Sequence, residues 1–464
     1  MADTYDVVVI GGGPAGENAA GRTAAGGLST ALVEAERLGG ECSFWACIPS
    51  KALLRPPEVH WMARHSPGVR EAVTGPLHAA KVLTRRDEMV NGYDDSSQEK
   101  WARGAKIDVA RGHGRLAGPR KVVVTLRDGG TRELTARRAV VLATGSRPRI
   151  PDIPGLREAH PWTNREGTGA KAVPRRLVVL GGGAVGVELS QAWRGLGAEQ
   201  VTLVQRGPRL LNRLEPFACE LVEKALRESG VTVRTNAQAT RVQRSGGKGE
   251  VTVTLDTGDT LRADELLVAL GREVATRDVG LETVGLTPGK PVEVDEQLRA
   301  KGVDGGWLYA CGDVNGRNLL THMGKYQARL LGDHILGKQV EAWADKRATT
   351  QVIFTHPQVA AVGLTEDEAR KRGFPVRAVQ VGLDSVAGTS LLGEGYEGAV
   401  KLVVDEKRRI LLGATFVGPE VGEMLHSATI AVTGEVTLDT LWHAVPAFPS
   451  VSEVWLRLLE AYGL

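Results

Sequence analysis

Hydrophobic positions recur in two similar blocks. The stretch YDVVVIGGGPAGENAAGRTAAGGLSTALVEAE (residues 5–36) opens with an apolar run, breaks at three glycines, and passes through small residues to a second apolar run. That pattern predicts a buried strand, a closely packed helix and a second strand. RRLVVLGGGAVGVELSQAWRGLGAEQVTLVQRGPRLL (residues 175–211) repeats it, with strands predicted at Leu177–Leu180 and Val201–Val204. VTVTLDTGDTLRADELLV (residues 251–268) alternates apolar and polar positions about Asp-Thr-Gly-Asp, which predicts a hairpin. LTHMGKYQARLLGDHI (residues 320–335) predicts a helix. Beyond about residue 346, strand-like stretches alternate with helices and no glycine fingerprint recurs. Residues 56–105 read as helical and rich in Arg and Trp, with no role assigned.

The glycines of both blocks carry chemistry. Gly11, Gly13 and Gly16 fill G-x-G-x-x-G. The first makes the tight turn, the second lets a pyrophosphate approach the backbone, and the third lets helix and strand pack. The helix N-terminus offers free N–H groups and positive dipole to phosphates. Glu34 ends the second strand, where a carboxylate can take a ribose hydroxyl pair. In the second block Gly181, Gly183 and Gly186 play the same parts, but Gln205 stands where the acid was. A neutral residue followed by Arg206 and Arg209 suits a ribose 2′-phosphate, so NADPH is favoured over NADH. Two dinucleotide units in one chain imply electron transfer between two cofactors.

Composition narrows the picture. At 464 residues the chain is long enough for two to four domains, and 42% hydrophobic with 24% charged residues is a globular balance. The net charge is +3 without a dense basic run, so no nucleic-acid partner is expected. The polar lead MADTYDVVVIGGG lacks the pattern of a secretory signal, and no apolar run approaches the ~20 residues of a membrane span. A cytoplasmic protein is the expectation.

Two of the four cysteines, Cys42 and Cys47, lie in GGECSFWACIPSKALLRP (residues 39–56). In a reducing compartment such a pair is redox-active, metal-binding or a coincidence of core packing. Zinc needs more ligands than C-x4-C supplies, and His60 and His65 lack the spacing of a finger. The local stretch leaves the other two readings open. Cys219 and Cys311 are scattered, and Cys311 reads as a small buried residue.

Taken together, these motifs resemble those of the pyridine nucleotide-disulfide oxidoreductase family of flavoproteins, over essentially the whole chain. VVLATGSRPRIPDIPG (residues 140–155) is similar to the segment leaving the FAD domain, LLVALGREVAT (266–276) to the return from the NAD(P) domain, and LYACGDVNG (308–316) to the second FAD motif. The resemblance implies an α/β fold with two Rossmann-like dinucleotide-binding domains plus a C-terminal α+β dimerisation domain. Its boundaries would be 1–152 and 276–345 for the FAD domain, 153–275 for the NAD(P) domain and 346–464 for dimerisation. It implies FAD contacts at Gly11, Gly13, Gly16, Glu34, Gly114, Thr144, Gly145, Asp313 and His322, with Asp313 on the ribityl chain. NAD(P) contacts would fall on Gly181, Gly183, Gly186, Gln205, Arg206, Arg209 and Gly271. Cys42 and Cys47 would form a redox disulfide on a helix, Cys47 beside the flavin and Cys42 facing the acceptor. Pro49 suits a first helical turn, so Cys47 would lie where a thiolate is stabilised. Lys51 would lie near the flavin and Glu188 would be its ion-pair partner.

One catalytic part departs from the family. Its C-terminal His-Glu dyad, in a motif like H-P-x-x-x-E, reaches the partner subunit's thiol. Aligning Pro449 and Glu453 puts Phe448 where the histidine belongs, and His443 is five residues upstream. A positioned acid–base group is worth ~10²–10⁴-fold, and disulfide exchange needs one more than electron transfer to a quinone or metal ion does. The chain also ends without the vicinal cysteines of mercuric reductases. The expectation is therefore a homodimer delivering electrons from NAD(P)H to a small-molecule acceptor, a quinone or other non-thiol. The alternatives are a disulfide reductase of dihydrolipoamide dehydrogenase type with an atypical proton donor, and a non-catalytic flavin-bound interaction protein. Phe44 and Trp45 would add flat bulk on the acceptor side.

Overall fold

A computed structural model describes residues 3–247 and 249–464; Met1 and Ala2 of the polar lead, and Lys248, lie outside the described residues. By its contacts the chain forms two units. One comprises the residues up to Ile48, Asp87–Pro148 and Arg272–Asp345; the other comprises Pro49–Arg86, Arg149–Gly271 and Lys346–Leu464. The segment Pro49–Arg86, expected within residues 1–152, thus clusters with the second unit.

The first unit is built on a six-stranded sheet. Asp3–Ile10 pairs in parallel with Thr30–Glu34 on one side and Thr131–Leu142 on the other, and Leu308–Ala310 adds in parallel beyond. Ile107–Leu116 joins Thr30–Glu34 in parallel, then continues into an antiparallel meander with Lys121–Leu126 and Thr131–Leu142. Val7–Ile10 and Val140–Leu142 are buried, as strands covered on both faces must be. The helix Pro14–Ala25 starts with Pro at its first turn, where a missing N–H costs nothing, and packs Ala19 and Ala20 inward.

The described residues of the second unit form three sheets. Glu265–Val268, Arg176–Leu180, Gln200–Val204 and Val231–Arg234 form a parallel four-stranded sheet in that order. Ala239–Arg244, Val251–Leu255 and Thr260–Ala263 form an antiparallel sheet. The predicted hairpin is therefore real but ends at Ala263, because Glu265–Val268 turns away to pair with Arg176–Leu180. A five-stranded antiparallel sheet of the C-terminal region carries the helices Val421–Thr433 and Val454–Tyr462. Residues 56–105 are only partly helical: Cys47–Arg64, Ala79–Met89 and Ser96–Gly104 are separated by turns. Among the described residues no helix is long and apolar enough to cross a membrane.

Candidate functional site

In the first unit the three fingerprint glycines answer to different constraints. Gly11 has φ +105°, and a Cβ there would lie 2.3 Å from the Ala143 carbonyl oxygen. A Cβ on Gly16 would lie 1.8 Å from the Gly11 oxygen. Both must be glycine because of the protein's own backbone. Gly13 is the opposite case, for its Cβ would meet nothing nearer than Gly40 Cα at 4.0 Å. The space in front of Gly13 is open, as a pyrophosphate cradle requires. Beside it, the Gly12 N–H donates to Glu34 Oε2 at 2.7 Å and the Glu36 N–H to Oε1 at 2.6 Å. Burial raises the Glu34 carboxyl above its ordinary range, against those two hydrogen bonds.

Other expected FAD positions gather in the same unit. The Thr144 hydroxyl is buried without a hydrogen-bond partner among the described residues, and Gly145 has φ +71°. Ser146 donates to the Asp313 carboxylate, whose proton affinity burial raises, and Arg272 Nε stands 3.8 Å from it. His322 lies in the first turn of the helix Thr321–Ile335, next to Thr321, whose hydroxyl is 3.3 Å from Cys47 Sγ. Gly114 has a simpler explanation in packing: a Cβ would press on Val33 at 2.9 Å and Ile10 at 3.2 Å. An orphaned hydroxyl and an open glycine cradle suit a bound dinucleotide, so the residues present fit FAD.

Cys42 and Cys47 are joined in a disulfide with their Cα atoms 4.7 Å apart. They do not share one helix. Cys42 lies in the short helix Gly40–Phe44, and Cys47 begins the helix Cys47–Arg64. Trp45 ends the first and separates the two. Phe44 is 2% exposed and belongs to the interior, so it cannot line an acceptor. Trp45 is half-buried, with the Arg37 guanidinium 5.5 Å from its ring.

The second unit repeats the glycine logic. Gly181 has φ +108° and a Cβ would lie 2.4 Å from the Ala269 oxygen, while a Cβ on Gly186 would lie 1.8 Å from the Gly181 oxygen. Gly183 faces open space, as does Gly271 at φ +102°. The Gly182 N–H donates to Gln205 Oε1 at 3.0 Å, as the Gly12 N–H does to Glu34. Arg206 and Arg209 are exposed, and neither has a carboxylate partner among the described residues. The open cradle fits a dinucleotide.

Lys51 and Glu188 also lie in this unit, with Nζ 2.7 Å from Oε2. Glu188 is buried, and such a charge needs full partnering. Its second oxygen accepts the Phe354 N–H at 2.9 Å, and the Phe354 ring lies 4.8 Å from Lys51 Nζ. Phe354 is a residue that sequence reasoning missed, since it carries no motif. At the C-terminus Glu453 is buried; Oε1 accepts from Arg457 Nη2 at 2.9 Å, and Oε2 has no partner among the described residues. Phe448 is 75% exposed and His443 is exposed.

Known proteins match the chain over its whole length. Residues 5–328 match the pyridine nucleotide-disulphide oxidoreductase family, and residues 349–458 match the dimerisation domain of the same family. Dihydrolipoyl dehydrogenase of Rhizobium etli is 32% identical over 100% of this chain and 99% of its own. The structure of LpdA from Mycobacterium tuberculosis superposes with a TM-score of 0.88 at 26% identity, covering 100% of both chains. A Cu(II) complex of the HOCl-induced flavoprotein disulfide reductase RclA from Escherichia coli gives 0.86 at 25% identity over 99% of each. The chain therefore belongs to the pyridine nucleotide-disulphide oxidoreductase family and is an NAD(P)H-dependent flavoprotein oxidoreductase with a Cys42–Cys47 disulfide.

Proposed function

We propose that this chain acts as a cytoplasmic homodimer that passes electrons from NADPH, through FAD and the Cys42–Cys47 pair, to a quinone or other non-thiol acceptor. FAD, when bound, supplies the two-electron exchange between nicotinamide and thiols. Everything else is the work of the chain. The cradles at Gly13 and Gly183 admit the two pyrophosphates. Asp313 takes the ribityl chain, and Lys51, held by Glu188 and Phe354, supplies a fixed positive charge. Cys47, at a helix N-terminus, is the thiol whose anion that position favours. Arg206 and Arg209 take the 2′-phosphate.

The observation that carries the choice of acceptor is Phe448. A phenyl ring cannot protonate a leaving thiolate, and Glu453, bonded to Arg457 through one oxygen only, has no imidazole at position 448 to orient. Losing such a group costs ~10²–10⁴-fold in disulfide exchange. Transfer to a quinone is spared that loss. A Cu(II) ion is the second reading, favoured by the likeness to RclA, which is described as a Cu(II) complex.

The test compares kcat/KM for 1,4-naphthoquinone, Cu(II) and lipoamide with NADPH as donor, in wild type and Phe448→His. We expect efficient quinone turnover, poor lipoamide turnover, and a gain with lipoamide in the variant. Rapid lipoamide turnover that Phe448→His leaves unchanged would mean that another group, His443 first, supplies the proton.

A further inference from the structure

The second unit contains a cavity of about 550 Å³ that none of the expected cofactor or thiol residues lines. Its volume falls in the ~300–1,000 Å³ range of small-molecule sites. The walls come from the helices Cys47–Arg64, Ala184–Gly195 and Pro216–Glu228 and from the segments around His356 and Tyr396. Aromatic rings dominate one side. Trp61 stacks on His65 at 3.8 Å and 15°, meets His356 at 4.0 Å, and presents its edge to Tyr396 at 5.2 Å.

His356 gives the cavity its polar chemistry. Gln191 clamps its backbone from both sides: the side-chain amide donates to the His356 oxygen at 2.8 Å, and its oxygen accepts the His356 N–H at 2.6 Å. The backbone that carries the ring is therefore fixed, yet neither ring nitrogen has a hydrogen-bond partner among the described residues. Burial, and to a smaller degree His65, push its pKa down to about 4, so it is neutral at pH 7. A neutral imidazole offers one donor and one acceptor. The charges nearby largely answer one another: Lys224 Nζ is 2.6 Å from Glu397 Oε1, and Glu58 accepts from Arg55 at 2.8 Å.

We propose that this cavity is a binding site for a neutral, hydroxylated aromatic of two or three fused rings. Its rings would lie against the Trp61 cluster and its hydroxyl would bond His356. None of the cradle glycines lines the site, and its wall includes Phe354, the residue whose N–H holds Glu188.

The probe is 2-naphthol, titrated calorimetrically into the FAD-loaded full-length protein without NADPH, so that redox turnover plays no part. One site per chain with a dissociation constant on the order of 1 mM or tighter is expected for a ligand of this size. Ala225→Trp, which fills the cavity from its wall, should abolish binding, and His356→Leu should weaken it about tenfold. Ser229→Trp, at an exposed position on the rim, provides a blocking variant that leaves the interior alone. FAD retention and thermal melting establish that each variant is folded. The proposal is overturned if wild type shows no saturable binding, if both tryptophan variants bind as wild type does, or if a crystal structure with 2-naphthol places it elsewhere.

Discussion

Gly11 and Gly13 differ by two positions and by everything that determines what a side chain would do there. At Gly11 a methyl group meets a carbonyl oxygen in a backbone already at φ +105°, so Gly11→Ala should destabilise the fold by at least ~1–3 kcal/mol. At Gly13 the protein leaves room, so Gly13→Val should fold and melt as the wild-type apoprotein does while failing to retain FAD. Flavin absorbance of the purified variants and circular dichroism melting of apoprotein separate the two effects. Equal loss of stability in both would mean that the open space at Gly13 is not a cradle. Arg206 is a residue-scale question of the same kind. Arg206→Glu replaces a free guanidinium with a carboxylate, which repels a 2′-phosphate. The ratio of kcat/KM for NADPH to that for NADH should fall at least about tenfold; an unchanged ratio would remove Arg206 from nucleotide selection.

Among the elements, the segment from Ile353 to Pro357 links several parts of the second unit. Phe354 reaches Glu188 and Lys51, while His356 is held by Gln191. The buried imidazole gives this segment a pH dependence. Its folded pKa of about 4 lies below the ordinary ~6.5, so between those values the unfolded chain binds the extra proton. Its contribution to stability is complete above pH 6.5 and is lost as pH falls towards 4, by about 3 kcal/mol. His356→Gln should melt with a shallower dependence on pH between 7 and 4.5, and identical slopes would show that the imidazole does not set it. These links were not legible in the sequence. Phe354 and Glu188 are 166 residues apart and belong to no shared spacing, so only the folded chain brings them together. The glycine turns were legible because strand, turn and helix are contiguous. The end of the hairpin was missed because Glu265–Val268 continues its apolar pattern while pairing elsewhere, and pattern alone does not name a partner strand.

For the whole molecule, the C-terminal region carries its own evidence of assembly. Val445 is 86% exposed and Phe448 75%, with Trp442 and Ile430 also outside, and the region matches a dimerisation domain. Exposed apolar groups in one region mark an interaction surface. Light scattering on a sizing column should therefore give twice the chain mass at micromolar concentration. Phe448→Asp or Val445→Asp should shift the protein towards monomer, and a monomeric wild type would count against the assembly. The family was readable from paired glycine turns and C-x4-C, but the placement of Pro49–Arg86 was not, since its helices look alike whichever unit they join.

The two cysteines, finally, are unequal in a mechanical sense. Cys47 is the root of an 18-residue helix, whereas Cys42 rides on a five-residue helix entered through Gly39 at φ +96° and Gly40 at φ +55°. One sulfur is mounted on a long post and the other on a short one. Once the bond between them is reduced, the short mount is expected to yield first and the long one to keep its sulfur in register. Limited alkylation of the reduced protein with iodoacetamide, read by peptide mass spectrometry, should mark Cys42 well before Cys47.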